Sequence, residues 1–242
     1  MNAPELAQYI REELRRVCVE VRRDIVLRSM ENPGENPEGS LGTIARAFAQ
    51  AKIFDPRKHR EDRAPLPGEI RYEENRLRNI TSTTFGNIYD GLIVQDTLKT
   101  LIPQEELSLH RIHIVITNQL LATWDEEDLR YHIRASIYGI PNMISTTGIV
   151  EAPARPREFY LLKQGAGPGG WDSAAEAQAA EAFKDRMVLH DDPRLTEVMK
   201  GYVMQALFYH LTGDPFCSDV NCRLFNAPVS YTHLRAHETV LD

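Results

Sequence analysis

The sequence is poor in cysteine, in long apolar runs and in positive charge, and each shortage closes off a class of protein. Three cysteines stand among 242 residues, with Cys18 far from Cys217 and Cys222. So sparse and odd a set is no disulfide framework, and a reducing, cytoplasmic setting is expected. No stretch approaches the roughly 18 apolar residues of a membrane span, and no signal-peptide core follows Met1, so no membrane partner is expected. Lys and Arg number 28 against 35 Asp and Glu, for a formal charge of −7. Phosphate backbones select basic surfaces, so no nucleic-acid partner is expected either.

What is present reads as an ordinary globular chain. With 42% hydrophobic and 26% charged residues, the composition and length suffice for a real core. Pro4 suits a first helical turn after Asn2 or Ala3, and Leu6, Ile10, Leu14, Val17, Val21 and Ile25 continue a helical stripe. Val17, Val19 and Val21 also alternate, which leaves a strand open there. Asn32 to Gly42 is a Pro-, Gly- and Asn-rich loop, and Ile44 to Ala51 is a short helical patch. Asp55 to Gly68 is highly charged and ends in prolines. Glu61 and Asp62 interrupt its positive run, so it reads as a solvated connector.

The middle of the chain carries the strands. Tyr89, Leu92, Ile93, Leu98 and Leu101 fit a helix stopped by Pro103. Ile112 to Thr117 is a β-branched run expected to be buried on both faces. Arg130 to Tyr138 alternates, with Tyr131, Ile133, Ala135 and Ile137 on one side and His132 among the polar residues opposite. His132 reads as a surface histidine. Met143 to Val150 and Glu158 to Leu162 are two further candidate strands. Strands in close succession between helices predict an α+β fold, a mixed α/β sheet flanked by helices.

Gly165, Gly167 and Gly170 match GxGxxG just after a strand, the pattern of a phosphate-cradling turn. Pro168 removes one of the needed amides, and Asp172 and Glu176 put negative charge where a phosphate would sit. A loop followed by a surface helix, capped by Asp172 or Ser173, is the better reading.

The densest chemistry lies from Gln205 to Leu224. Pro193 follows Asp192, a good N-cap, and Leu195, Val198, Met199, Tyr202, Val203 and Ala206 form the apolar face of a helix. His210 falls on that face. Gly213 then ends the helix, with Pro215 behind it and Cys217 and Cys222 following. A histidine beside two cysteines is a metal-site neighbourhood, and His210, Cys217 and Cys222 are the candidate ligands. The C-x4-C pair also reads as two free, partly buried thiols.

The stretches LHRIHIVITN, TWDEEDLRYH, ISTTGIVEAPARPREFYLLKQ, DDPRLTEV and FYHLTGDPFC resemble a metallopeptidase family with a distant similarity to the archaemetzincins. The resemblance runs from about Pro67 to Asn226 and implies a zincin/metzincin-like fold. Archaemetzincins carry HExxHxxGxxHC, four further residues and C-x-M, in which three histidines hold zinc and the glutamate is the general base. On this sequence the second histidine falls on His210, the glycine on Gly213 and the cysteines on Cys217 and Cys222. HExxH itself is replaced by Ala206-Leu207-Phe208-Tyr209-His210, the third histidine by Phe216, and the methionine by Leu224. An aliphatic residue takes no proton from water, and methyl and phenyl groups ligate no metal. The resemblance therefore implies a member that has lost zincin-type peptidase catalysis and keeps a structural Zn2+ at the cysteine pair. The alternative is an active metal-dependent hydrolase with other ligands, such as His113, His132, Glu151 or His190. A peptide or protein partner is compatible with either.

Val229 to Asp242 (VSYTHLRAHETVLD) resembles translated sequencing-adapter read-through. The expected organisation is an N-terminal extension with a charged, Pro-rich linker over 1–66, a metzincin-like α/β domain over 67–227, truncated at its C-terminal end, and a non-native tail over 228–242.

Overall fold

The structure, a computed structural model, describes residues 2–22, 26, 41–79, 87–153, 158, 181–183, 188–189, 192–222 and 224–225. The candidate strand at 158–162, the GxGxxG run and His190 lie outside the described residues, apart from Glu158.

Helix α1 (Ala3–Glu13) starts as its sequence predicts. Pro4 sits in the first turn and the Asn2 side chain accepts the Glu5 amide at 3.2 Å, so one orphan donor of the first turn is satisfied. The helix stops at Leu14 rather than continuing to Ile25. Residues 17–21 form neither helix nor strand. Arg11 donates to the Val19 carbonyl at 2.6 Å, and Leu14 and Val19 turn inward onto the core; a tertiary anchor thus overrides both local patterns.

Helix α2 (Leu41–Ala51) runs directly into strand β1 (Lys52–Ile53). Helix α3 (Pro67–Arg78) packs on α2 and begins with Pro67. Strand β2 (Ile88–Asp90) occupies ground expected to be helical. Tyr89 is drawn into a strand because Ile88–Asp90 pair with β1 on one side and with Leu120–Ala122 on the other. Helix α4 (Gly91–Lys99) then starts on Asp90, whose carboxylate accepts the Leu92 amide. Gly91 is required at this junction, since a Cβ there would collide with the tip of Ile137.

The remaining strands are β3 (Ile114–Thr117), β4 (Leu120–Asp125), β5 (Arg130–Arg134), β6 (Ser136–Ile137) and β7 (Asn142–Ser145). They form two small mixed sheets, not one: β1-β2-β4-β5 and β3-β7-β6. The alternating run Arg130 to Tyr138 is split between them. β5 pairs antiparallel with β4, while β6 pairs antiparallel with β7. The chain changes sheets at Ala135, whose carbonyl accepts the Ser145 amide at 2.7 Å. β3 lies at a sheet edge beside β7, so its residues are half-buried rather than enclosed on both faces.

Strand β7 separates two cores. Successive side chains of a strand point to opposite faces, and here Met143 joins Ile44, Phe48, Tyr89 and Leu121, while Ile144 joins Leu6, Ile10, Met199 and Val203. Met143 to Val150 is not one strand. It turns at Ser145 into helix α5 (Thr146–Glu151). Helix α6 (Leu195–Thr212) closes the core of Ile144, packing on α1 and β7. It begins two residues later than Pro193 suggests, because Asp192 accepts the Arg194 amide and holds that turn outside the helix. Among the described residues no helix is long and apolar enough to cross a membrane.

Candidate functional site

Helix α6 and the loop after it carry His210, Cys217 and Cys222. Gly213 caps the helix at φ +80°, the left-handed conformation that glycine adopts without penalty. The helix presents two different faces. Val203, Ala206 and Leu207 face the core, with Ala206 0% and Leu207 5% exposed. Gln205 and Tyr209, one turn apart, face strand β6 and the residue after it. There Tyr138 donates to Gln205 Oε1 at 2.9 Å, Ser136 donates to Tyr138 at 3.0 Å, and the Tyr138 and Tyr209 rings stack at 5.3 Å. Burial pushes the Tyr138 hydroxyl up to about 12. It is a neutral donor near pH 7 and no proton acceptor. Burial also raises Tyr202.

The Tyr138–Gln205–Tyr209 group was not read from the sequence. The helical spacing of Gln205 and Tyr209 was visible, but nothing local places Tyr138 against them.

His210 is half-buried rather than on the enclosed face. Its Nε2 lies 2.8 Å from the Leu109 carbonyl oxygen. A carbonyl only accepts, so Nε2 is the donor in this contact.

Cys217 and Cys222 lie in one small loop, half-buried and in no disulfide. The loop is closed by a bridge between Cys217 and Phe225, in which the Cys217 amide donates to the Leu224 carbonyl at 2.9 Å. Each sulfur faces an amide two residues on. Asp219 N–H points at Cys217 Sγ at 3.5 Å, and Leu224 N–H at Cys222 Sγ at 3.4 Å.

The other candidate ligands are spread across the molecule. His113 Nε2 meets the Glu106 carbonyl at 3.1 Å. His132, on β5, is half-buried and lies 2.9 Å from the Asp128 carboxylate, so it is held to a turn rather than free on the surface. Glu151 ends α5. Among the described residues no group of three or more His, Cys, Asp or Glu side chains is arranged to hold a metal. His210, Cys217 and Cys222 are thus not gathered into one three-ligand set.

Against these residues, the chain matches over 1–237 the family model described as "Probable metallopeptidase family (DUF6775)". The chain belongs to this family. No curated protein and no solved structure matches it. Family membership implies a metal, and the residues can be tested against it at two places. At the positions marked by the archaemetzincin resemblance, Ala206 and Leu207 on α6 and Phe216 in the loop after it offer no donor atoms to an ion. At the cysteine loop the residues fit in part: two sulfurs, both supplied with amide donors, are half of a tetrahedral thiolate site. The second-sphere donors were invisible in the sequence, because C-x4-C spacing does not state which amides turn toward sulfur.

Proposed function

We propose that this member of the metallopeptidase family has lost zincin-type peptide hydrolysis and retains a structural zinc held in part by Cys217 and Cys222. The observation that carries the first half is Leu207. By the archaemetzincin resemblance it stands where the general base belongs, and it is a core side chain packed with Val203 and Ile144. A general base must reach a water and accept its proton; Leu207 does neither. With Ala206 in place of the first histidine, two neighbouring positions face apolar surroundings, so a water-activating ion finds no seat on this helix. No hydrolytic step is derived for this chain.

The second half rests on the cysteine loop. Zinc binds cysteine sulfur, and amide N–H groups turned toward both sulfurs are the kind of outer contact that orients such ligands. A bound ion would join the two ends of the loop between Cys217 and Cys222 and stabilise it rather than react.

The test uses the full chain. Metal content measured on purified protein should be about one zinc per chain, and it should fall to background in Cys217→Ser/Cys222→Ser. A panel of unstructured peptides should show no turnover with or without added zinc. Metal-dependent cleavage that persists in the double variant would overturn both halves.

A further inference from the structure

A second place in the molecule has the makings of a binding site, and it shares no residue with α6 or the cysteine loop. Between the end of α2 and the segment after β1 lies a pocket of about 270 Å³, lined by Lys52, Phe54, Lys58, His59, Arg60 and Arg63 among others. Asp55 and Glu61 also line it. The segment from Asp55 to Gly68, expected to be a solvated connector, is largely exposed and is also fixed to the fold over its first part. Tyr131 N–H donates to the Pro56 carbonyl at 2.7 Å, Arg60 N–H donates to the Tyr131 hydroxyl at 3.4 Å, and His59 packs edge-on against Trp124 at 4.9 Å. Cations carried on an anchored segment are preorganised, so ordering them on binding costs little.

The cations differ in how far their charge is already used. Arg63 is taken up by a two-point pair with Glu69. Lys58 has only a distant partner, Asp55 at 3.9 Å. Lys52 has its ammonium 5.7 Å from the Phe54 ring centre and 5.1 Å from that of Tyr72. Arg60 leans on backbone carbonyls of Gln50 and Glu61, and its Nε, 4.0 Å from Asp90, has no hydrogen-bond partner. Among the described residues Arg60 and Lys58 thus have only long-range acidic partners, Asp90 and Asp55, and Lys52 acts on Glu69 without an ion pair between them, so the three are weakly compensated and can still attract an anion. They come from two separated stretches, which suits a tetrahedral anion with oxygens on several sides better than a planar carboxylate, for which one guanidinium fork suffices.

The rim adds a second preference. Phe54, in the lining, is 64% exposed although Lys52 and Arg63 lie over its ring, and Tyr72, beside Lys52 but outside the lining, is 43% exposed. A ligand ring can stack there. The volume lies just under the roughly 300–1,000 Å³ usual for drug-sized ligands, so the occupant is small.

We propose that this pocket binds a small phosphate monoester bearing an aromatic ring. The phosphate lies among Lys52, Lys58 and Arg60, and the ring lies on Phe54. The proposal is independent of the zinc reading, and the Cys217→Ser/Cys222→Ser chain should bind the same ligand equally.

Calorimetric titration of the full chain at low salt tests it, with phenyl phosphate, inorganic phosphate and benzoate as probes. Phenyl phosphate should bind one per chain, at least about fivefold tighter than either of the others, since it alone offers both the dianion and the ring. Lys52→Gln should weaken it at least about fivefold, as a lost charge-assisted contact requires, with an unchanged melting temperature. Lys99→Gln, at the end of α4, should bind as the parent does. Arg60→Gln serves as a second variant if it melts like the parent. Absence of saturable binding would overturn the proposal. So would equal affinity for the three anions, or a Lys52→Gln chain indistinguishable from Lys99→Gln.

Discussion

His210 Nε2 lies 2.8 Å from the carbonyl oxygen of Leu109, 101 residues earlier in the chain. The contact ties the last turn of α6 to the segment that leads into β3. Replacing His210 by Ala should cost about 1 kcal/mol in urea unfolding, the usual net worth of one such bond. His210→Gln, which can still present an N–H, should recover part of it. Zinc content should not change in either variant, because the histidine belongs to no three-ligand group among the described residues.

Leu207 offers a sharper test of whether catalysis could be restored by a point change. Its side chain is 5% exposed among apolar neighbours. Leu207→Glu would bury a carboxyl with no cation to pair it, and should cost at least about 3 kcal/mol. The variant should unfold at lower urea than the parent and show no peptidase activity. A stable, zinc-binding, peptide-cleaving Leu207→Glu chain would mean that this position opens onto a cleft.

Ser145 is fully buried, and its hydroxyl both donates to the Gln119 carbonyl at 2.5 Å and accepts the Gly148 amide at 2.8 Å. Thr146 and Thr147 add bonds to the Thr117 and Asn118 carbonyls. The Ser-Thr-Thr run thus fastens the start of α5 to the turn between β3 and β4. Ser145→Ala would leave two buried groups unpaired and remove a cap, for a loss of about 2 kcal/mol by denaturant titration. A loss below about 0.5 kcal/mol would show that water satisfies both groups.

Acid stability should depend on Glu106. Its hydrogen bond with Arg22, at 2.6 Å, holds the carboxyl below the usual glutamate range. A lowered folded pKa stabilises fully above the unfolded value of about 4.3. That stabilisation is lost as pH falls through the folded value. Glu106→Gln should therefore lose on the order of 1 kcal/mol at pH 7. As pH falls through the folded value, below the ordinary glutamate range, its melting temperature should approach that of the parent. A constant gap between the two chains across this range would show that the pair contributes through packing, not charge.

The parts of the fold that were legible in the residues are those with local causes. Asn2 and Pro4 start α1, Ile44 to Ala51 lies within α2, and Gly213 ends α6, because capping and backbone freedom act within one turn. The chemistry absent from α6 was equally legible, since leucine and alanine hold no proton or metal in any fold. Strand identity was not. Ile88–Asp90 became a strand only because partners lay on both sides, and Arg130 to Tyr138 was split because its two halves found different neighbours.

What the amino-acid sequence determined alone was therefore the presence of an α+β chain with helix ends at marked residues, and a helix whose Ala206 and Leu207 offer neither a proton acceptor nor a metal ligand. The tertiary structure decided the rest. It placed β7 between two cores, turned amide N–H groups toward both cysteine sulfurs, and folded the charged segment after β1 into the wall of a cationic pocket. Each of these depends on groups distant in sequence or on the path of the backbone. A hydrogen bond or an apolar contact of that kind exists only once both partners are in place.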